Sequence, residues 1–240
     1  MMVSETEVPV PTTIMAIAAH PGDALFTMGA AVARHIRDGG AGVFVSLTYG
    51  EKGAPRGIPL AEYGKLQRAA TEKASRLLGA SFELLDYPDA ELPMDDKAAL
   101  AVCDIIRKHK PAIVLTHWSG SWHKDHQNCH LIVRDAVFYA GLATLARKDP
   151  PHYAGKIFYA ENWEDDTDFR ADVYLDITPV YEKWIEACAE FPMWRGETGF
   201  RYSDYYSSLA VMRGCLSGFR HAVALMRDPN QRASRVHSLG

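Results

Sequence analysis

The sequence has no excess of basic residues, no paired cysteines and no long apolar run, and each absence removes a class of function. Lys and Arg number 26 against 30 Asp and Glu, a formal charge of −4. The positive footprint that nucleic acids and anionic membrane surfaces require is therefore missing. Cys103, Cys129, Cys188 and Cys215 lie far apart and form no C-x-x-C pair. They read as buried free thiols of a reducing compartment. No apolar stretch approaches the ~20 residues that span a bilayer. The opening MMVSETEVPVPTT has acids and prolines where a secretory leader has a positive and then an apolar segment. A cytoplasmic protein with neither nucleic acid nor membrane as partner is expected.

Two common catalytic signatures are absent as well. Gly39-Gly40-x-Gly42 and Gly50-x-x-Gly53 are not the G-x-G-x-x-G of a dinucleotide-binding turn, and Gly120-Ser121 lacks the flanks of a G-x-S-x-G nucleophile elbow. There is no internal repeat and no linker long enough to divide the 240 residues, so one domain is expected over 1–240. Its ends, 1–12 and 228–240, lack apolar periodicity and read as flexible tails.

What is present is an alternation. Short apolar runs at 14–19, 43–48, 82–86, 112–116, 156–160 and 172–177 read as strands. Helical spacing covers 23–38, 61–78, 95–109, 126–145, 179–191 and 204–226. Strands alternating with helices predict an α/β fold, a Rossmann-like doubly wound, mainly parallel sheet flanked by helices. Such sheets bind ligands at the carboxyl ends of their strands, so the loops after the first four strands share one edge.

Those loops carry the chemistry. After the first strand come His20, Pro21, Gly22 and Asp23; after the fourth come His117, His123, Asp125, His126 and His130. A His and an Asp three apart, met by a His from a second loop, can hold one face of a metal ion and leave positions open, as in catalytic zinc sites. Asp23 and Asp125 can equally be helix N-caps. His123 with His126, or His126 with His130, both have ligand spacing.

In order along the chain, AIAAHPGDA, TYGEKGAP, LLDYPDAEL, PAIVLTH, the HKDH cluster and VYLDIT followed by Lys183 resemble the PIG-L/LmbE-like family of zinc-dependent de-N-acetylases. The resemblance implies hydrolysis, by metal-activated water, of the amide of an N-acylated amino sugar or related small molecule. It implies Zn2+ or another divalent ion as cofactor, and a homo-oligomer. Carried over by position, His20, Asp23 and His126 match the metal ligands, and His123 matches the histidine that stabilises the oxyanion and protonates the leaving amine. Asp125 matches the aspartate that orients that histidine, and Asp89 a substrate-hydroxyl contact, though Asp89 is equally a turn residue. The family writes A-H-P-D-D-E where this chain has Gly22 for the general base and Ala24 for the glutamate. The alternatives that follow are a replacement carboxylate, with Glu51 and Asp89 as candidates, or a member that binds a sugar-like ligand without turnover or serves a different metal-dependent reaction. The aromatic segment from Phe191 to Tyr206 is read either as a stacking wall at the site or as core packing.

Overall fold

The computed structural model of the protein describes residues 12–231. Its strands are β1 (Thr13–Ala18), β2 (Ala41–Thr48), β3 (Ser81–Tyr87), β4 (Ile113–Thr116), β5 (Lys156–Ala160), β6 (Val173–Asp176) and β7 (Ala222–Arg227). They form one sheet in the order β3-β2-β1-β4-β5-β7-β6. The first five pair in parallel, while β7 runs antiparallel to both β5 and β6. The expected doubly wound α/β sheet is therefore present. The chain order diverges at β1, with β2 on one side and β4 on the other, which opens a crevice above their carboxyl ends.

The strands read as continuous apolar runs because both sheet faces are covered. Ile14, Ala16, Ala18 and Phe44 face one layer, built by α1 (Pro21–Phe26), α2 (Gly29–Arg37), α3 (Leu60–Leu78), α6 (Tyr181–Cys188) and α7 (Tyr202–Ser217). Met15, Ile17, Val43 and Val45 face the other, built by α4 (Asp96–His109) and α5 (Lys124–Gly141). Successive side chains of a strand point to opposite faces, and this division follows that period. No described helix is long and apolar enough to cross a membrane.

The helix that delivers the HKDH cluster is anchored at its far end by Arg107, which is 1% exposed. Its guanidinium donates to the carbonyls of Ala140, Leu145, Asp149, Tyr139 and Leu142 at 2.8–3.2 Å. It thereby satisfies carbonyls that the end of α5 leaves without intrahelical partners. Arg107→Leu is expected to lower stability by about 3 kcal/mol, because hydrogen bonds to a charged donor are lost and buried carbonyls are left unpaired. A fall in the urea midpoint at unchanged slope checks this.

Four features differ from the sequence reading. The helix expected over 23–38 is two helices, broken at Thr27 and Met28. Leu25 O, which a continuous helix would offer to the residue four ahead, instead accepts from Trp184 Nε1 at 2.8 Å. The helix expected over 204–226 ends at Ser217, and β7 follows. Gly218 takes the left-handed conformation (φ 78°) that ends the helix, and the missing Cβ of Gly214 lets the chain turn back across it: a methyl there would lie 2.6 Å from Arg220 O. Cys103, Cys129 and Cys188 are buried, as expected, but Cys215 is exposed on α7. The expected C-terminal tail begins later than 228, since Asp228 is buried and accepts from Tyr159 Oη at 3.1 Å. The remainder of both expected tails, 1–11 and 232–240, lies outside the described residues.

Candidate metal centre

His20 closes the bend that follows β1, in extended conformation (φ −123°, ψ 154°), and is the N-cap of α1. Its ring makes no capping bond and is free to face the crevice. Asp23 lies in the first turn of the same helix and does not cap it. Its backbone carbonyl accepts from Thr27 N and Oγ1 at 3.0 and 2.8 Å, which holds that turn in place. His126 arrives from the opposite side in the first turn of α5, whose N-cap is His123. The cap bond runs from Asp125 N to His123 Nδ1 at 3.1 Å.

Three donor atoms converge. His20 Nδ1 lies 2.9 Å from Asp23 Oδ2 and 3.2 Å from His126 Nε2, and His126 Nε2 lies 3.0 Å from Asp23 Oδ2. Atoms that each bond a zinc-like ion at ~2.0–2.2 Å must lie roughly 3 Å from one another, so this triangle has the size of one face of a metal coordination shell. The His2Asp donor set suits zinc or another divalent ion. His20, Asp23, His123 and His126 all line one open cavity of about 270 Å³.

Each of the three is braced from behind. His20 Nε2 lies 2.9 Å from Asp89 Oδ1, and His126 Nδ1 lies 2.9 Å from Glu164 Oε2. Asn162 Nδ2 donates to Asp23 Oδ1 at 3.4 Å. A carboxylate behind a ligating imidazole fixes its tautomer and raises its basicity. Glu164→Gln is accordingly expected to weaken metal affinity by about 10–100-fold with the fold intact. Competition with a chromogenic chelator reads that loss directly.

The charges agree with a site built to take a cation. Burial opposes a proton on His20, yet the surrounding carboxylates of Asp125, Asp23 and Asp89 raise its pKa well above the ordinary histidine value. Burial also opposes the His126 cation, but Asp23 and then Glu164 push it up to about 9. Asp23 stays ionised far below the usual carboxylate range despite burial, because His126 and His20 face it. Protonation of both imidazoles is thus favoured, and a divalent ion at these atoms would compete with protons.

The remaining expected residues separate by position. His123 lines the cavity, and its ring nitrogen lies within 4.8 Å of donors from His20 and His126. The Asp125 carboxylate does not reach His123 through a hydrogen bond: its Oδ1 accepts from Leu92 N at 3.3 Å and its Oδ2 lies 3.7 Å from His20 Nε2. The backbone N–H of Asp125 orients His123 instead. Asp89 lines the cavity and accepts from Lys52 N at 2.8 Å. Glu51 stands behind it, accepting from Asp89 N at 3.0 Å and facing a separate groove with Tyr49 and Leu60. His130 is turned away, bonded to His117 O at 3.0 Å, so of the two spacings it is that of His123 and His126 that faces the cavity. His117 Nε2 is engaged by Ala19 N at 3.0 Å. The space beside Gly22 is covered: a Cβ there would meet Met193 Sδ at 2.9 Å and Phe26 Cε2 at 3.2 Å.

Glu164, Asn162 and Trp163 follow β5, one strand beyond the loops read from the sequence, and applying the strand-end rule to β5 would have found them. The aromatic segment is divided between the core and the cavity. Phe191, Trp194 and Tyr206 are buried in the core around Phe26. Phe200 stacks on Trp163 at 4.4 Å between centroids, and Trp163 and Tyr202 wall the cavity.

Residues 15–137, about half of the chain, match the family model PIG-L, described as GlcNAc-PI de-N-acetylase. The chain is 27% identical over 220 residues to the 4-oxalmesaconate hydratase of Pseudomonas putida, a match covering 83% of this chain and 79% of that protein. It is 27% identical over 235 residues to the diacetylchitobiose deacetylase of Thermococcus kodakarensis, covering 90% and 83%. Its fold is similar to the crystal structure of the 4-carboxy-2-hydroxymuconate hydratase of Pseudomonas putida, with a TM-score of 0.83 at 22% identity over 95% and 98% of the two chains.

Proposed function

The chain belongs to the PIG-L family, and from that premise we propose that it is a metal-dependent hydrolase of the amide bond in an N-acylated amino sugar or related small molecule. The observation that carries the reading is the triangle of His20 Nδ1, Asp23 Oδ2 and His126 Nε2, with edges of 2.9–3.2 Å, opening on a cavity that His123 also lines. A divalent ion held by those atoms supplies a Lewis acid and lowers the pKa of water toward 7.

The chain's own residues do the rest. His123 Nδ1 accepts the Asp125 N–H, so in the neutral ring the proton sits on Nε2. Burial and the neighbouring His126 and His20 lower its pKa, keeping it a neutral donor at pH 7. As a neutral N–H donor it stabilises charge that develops on the carbonyl oxygen. Trp163 and Tyr202 offer flat apolar faces suited to the C–H side of a sugar ring.

One observation favours a second reading. No carboxylate occupies position 22, the base position of the family pattern, and Met193 covers that space; water addition to an unsaturated acid then becomes the alternative, as the name of the Pseudomonas putida relative indicates for that protein. Zinc-loaded protein is to be assayed for acetate release from N-acetylglucosamine and N,N′-diacetylchitobiose. Release that falls about 10²–10⁴-fold in His123→Ala supports the hydrolase. No release, with consumption of 4-oxalmesaconate, replaces it by the hydratase.

A further inference from the structure

We propose that Gln67 is a specificity-determining residue that accepts a hydrogen bond from a substrate hydroxyl in the cavity it lines with Gly22 and Met193. The choice of probes rests on the hydrolase reading; the contact itself rests on geometry. Gln67 lies on α3, is 1% exposed, and lines the cavity together with Gly22 and Met193. Its Nε2 donates only to Met193 Sδ at 3.8 Å, a weak acceptor, and its Oε1 has no hydrogen-bond partner among the described residues. Exchanging the two ends of the amide does not cure the deficit, because the thioether is the one partner the side chain has.

A packing role does not account for a carboxamide here. Position 67 continues the buried stripe of Tyr63, Ala70, Ala74 and Leu78, where leucine would fill the same volume with no unpaired oxygen. Buried polar atoms without partners are rare in folded proteins because they oppose folding, so one that borders a ligand cavity is matched to a ligand group. The unpaired atom is a carbonyl oxygen, which calls for a donor. A hydroxyl supplies one, and it can also accept from Nε2 when Met193 moves aside. Gly22, Met193 and Gln67 form one wall at the place where the family pattern has a charged carboxylate. In this chain that wall is neutral and selects a neutral polar group.

The test compares zinc-loaded wild type with Gln67→Leu and Gln67→Met, measuring metal content, thermal midpoint, and steady-state acetate release from N-acetylglucosamine and N,N′-diacetylchitobiose. Both variants are expected to keep their metal and to melt about 2–4 °C higher, since an unpaired buried amide is removed. KM is expected to rise about tenfold with kcat within about twofold, the signature of lost ground-state binding. An unchanged KM, or a midpoint that falls, assigns Gln67 to packing and overturns the contact. If wild type turns over neither probe, the hydrolase reading fails on its own. The midpoint then decides the contact: a rise supports it, and no change or a fall overturns it.

Discussion

Asp23→Ala is expected to purify with under about a tenth of the divalent metal that wild type holds, and to show no turnover above the uncatalysed rate. Asp23 is the anionic member of the inner triangle, 2.9 and 3.0 Å from the two imidazole nitrogens it joins. Without it, two histidines face the cavity with their own protonation favoured by Asp89 and Glu164 behind them. Two neutral ligands that must first lose protons hold a divalent ion poorly. Elemental analysis of untagged protein reads the result, with His130→Ala as the control, because that ring bonds His117 O and faces away. The pH dependence has a definite sign. His126 is raised to about 9 in the metal-free protein, so metal uptake competes with protons below that pH and apparent affinity falls as the pH is lowered. An Asp23→Ala variant that retains one ion per chain would move the site to a cluster without Asp23, either His20, His123 and His126 or His20, Asp89 and Asp125.

The inner triangle is legible in the sequence because its members follow directly on strands whose pattern is unmistakable. IMAIAA runs into His20, and AIVLT runs into the loop that leads to the first turn of α5, where His126 lies. Both strands lie at the point where the sheet order diverges, so proximity follows from topology alone. The residues behind the triangle are not legible in that way. Glu164 and Asn162 stand in ENWEDD, an acidic stretch with no histidine to single it out, and they reach the site because β5 pairs with β4. The role of Asp125 likewise needs coordinates: HKDH says that a carboxylate lies beside two histidines, and the turn of α5 decides that it faces His20. AVALM could not be separated from a helix by pattern, since a run of five apolar residues fits either period. The break at Thr27 depends on the indole of Trp184, 159 residues distant in sequence from its acceptor Leu25 O.

Position 22 supplies the other large effect. Restoring the carboxylate of the family pattern, as Gly22→Asp, is expected to raise hydrolysis of an N-acetylated amino sugar, and a general base contributes about 10²–10⁴-fold where one is missing. The gain from the single substitution is limited by space. A Cβ at position 22 lies 2.9 Å from Met193 Sδ and 3.2 Å from Phe26 Cε2, so the thioether has to swing away before the carboxylate can settle. Met193 is flexible enough to do so at modest cost, whereas Phe26 is packed among Phe191, Trp194 and Tyr206 and has little freedom. The pair Gly22→Asp with Met193→Ala is therefore expected to exceed Met193→Ala alone by about 10²-fold in kcat, with Gly22→Asp alone in between. Metal content should be equal in all four proteins, because neither position belongs to the triangle. If the paired variant instead loses activity at full metal content, an added base at this position is harmful. The reaction then depends on the neutral wall that Gly22, Met193 and Gln67 present, which is the condition the hydratase reading sets.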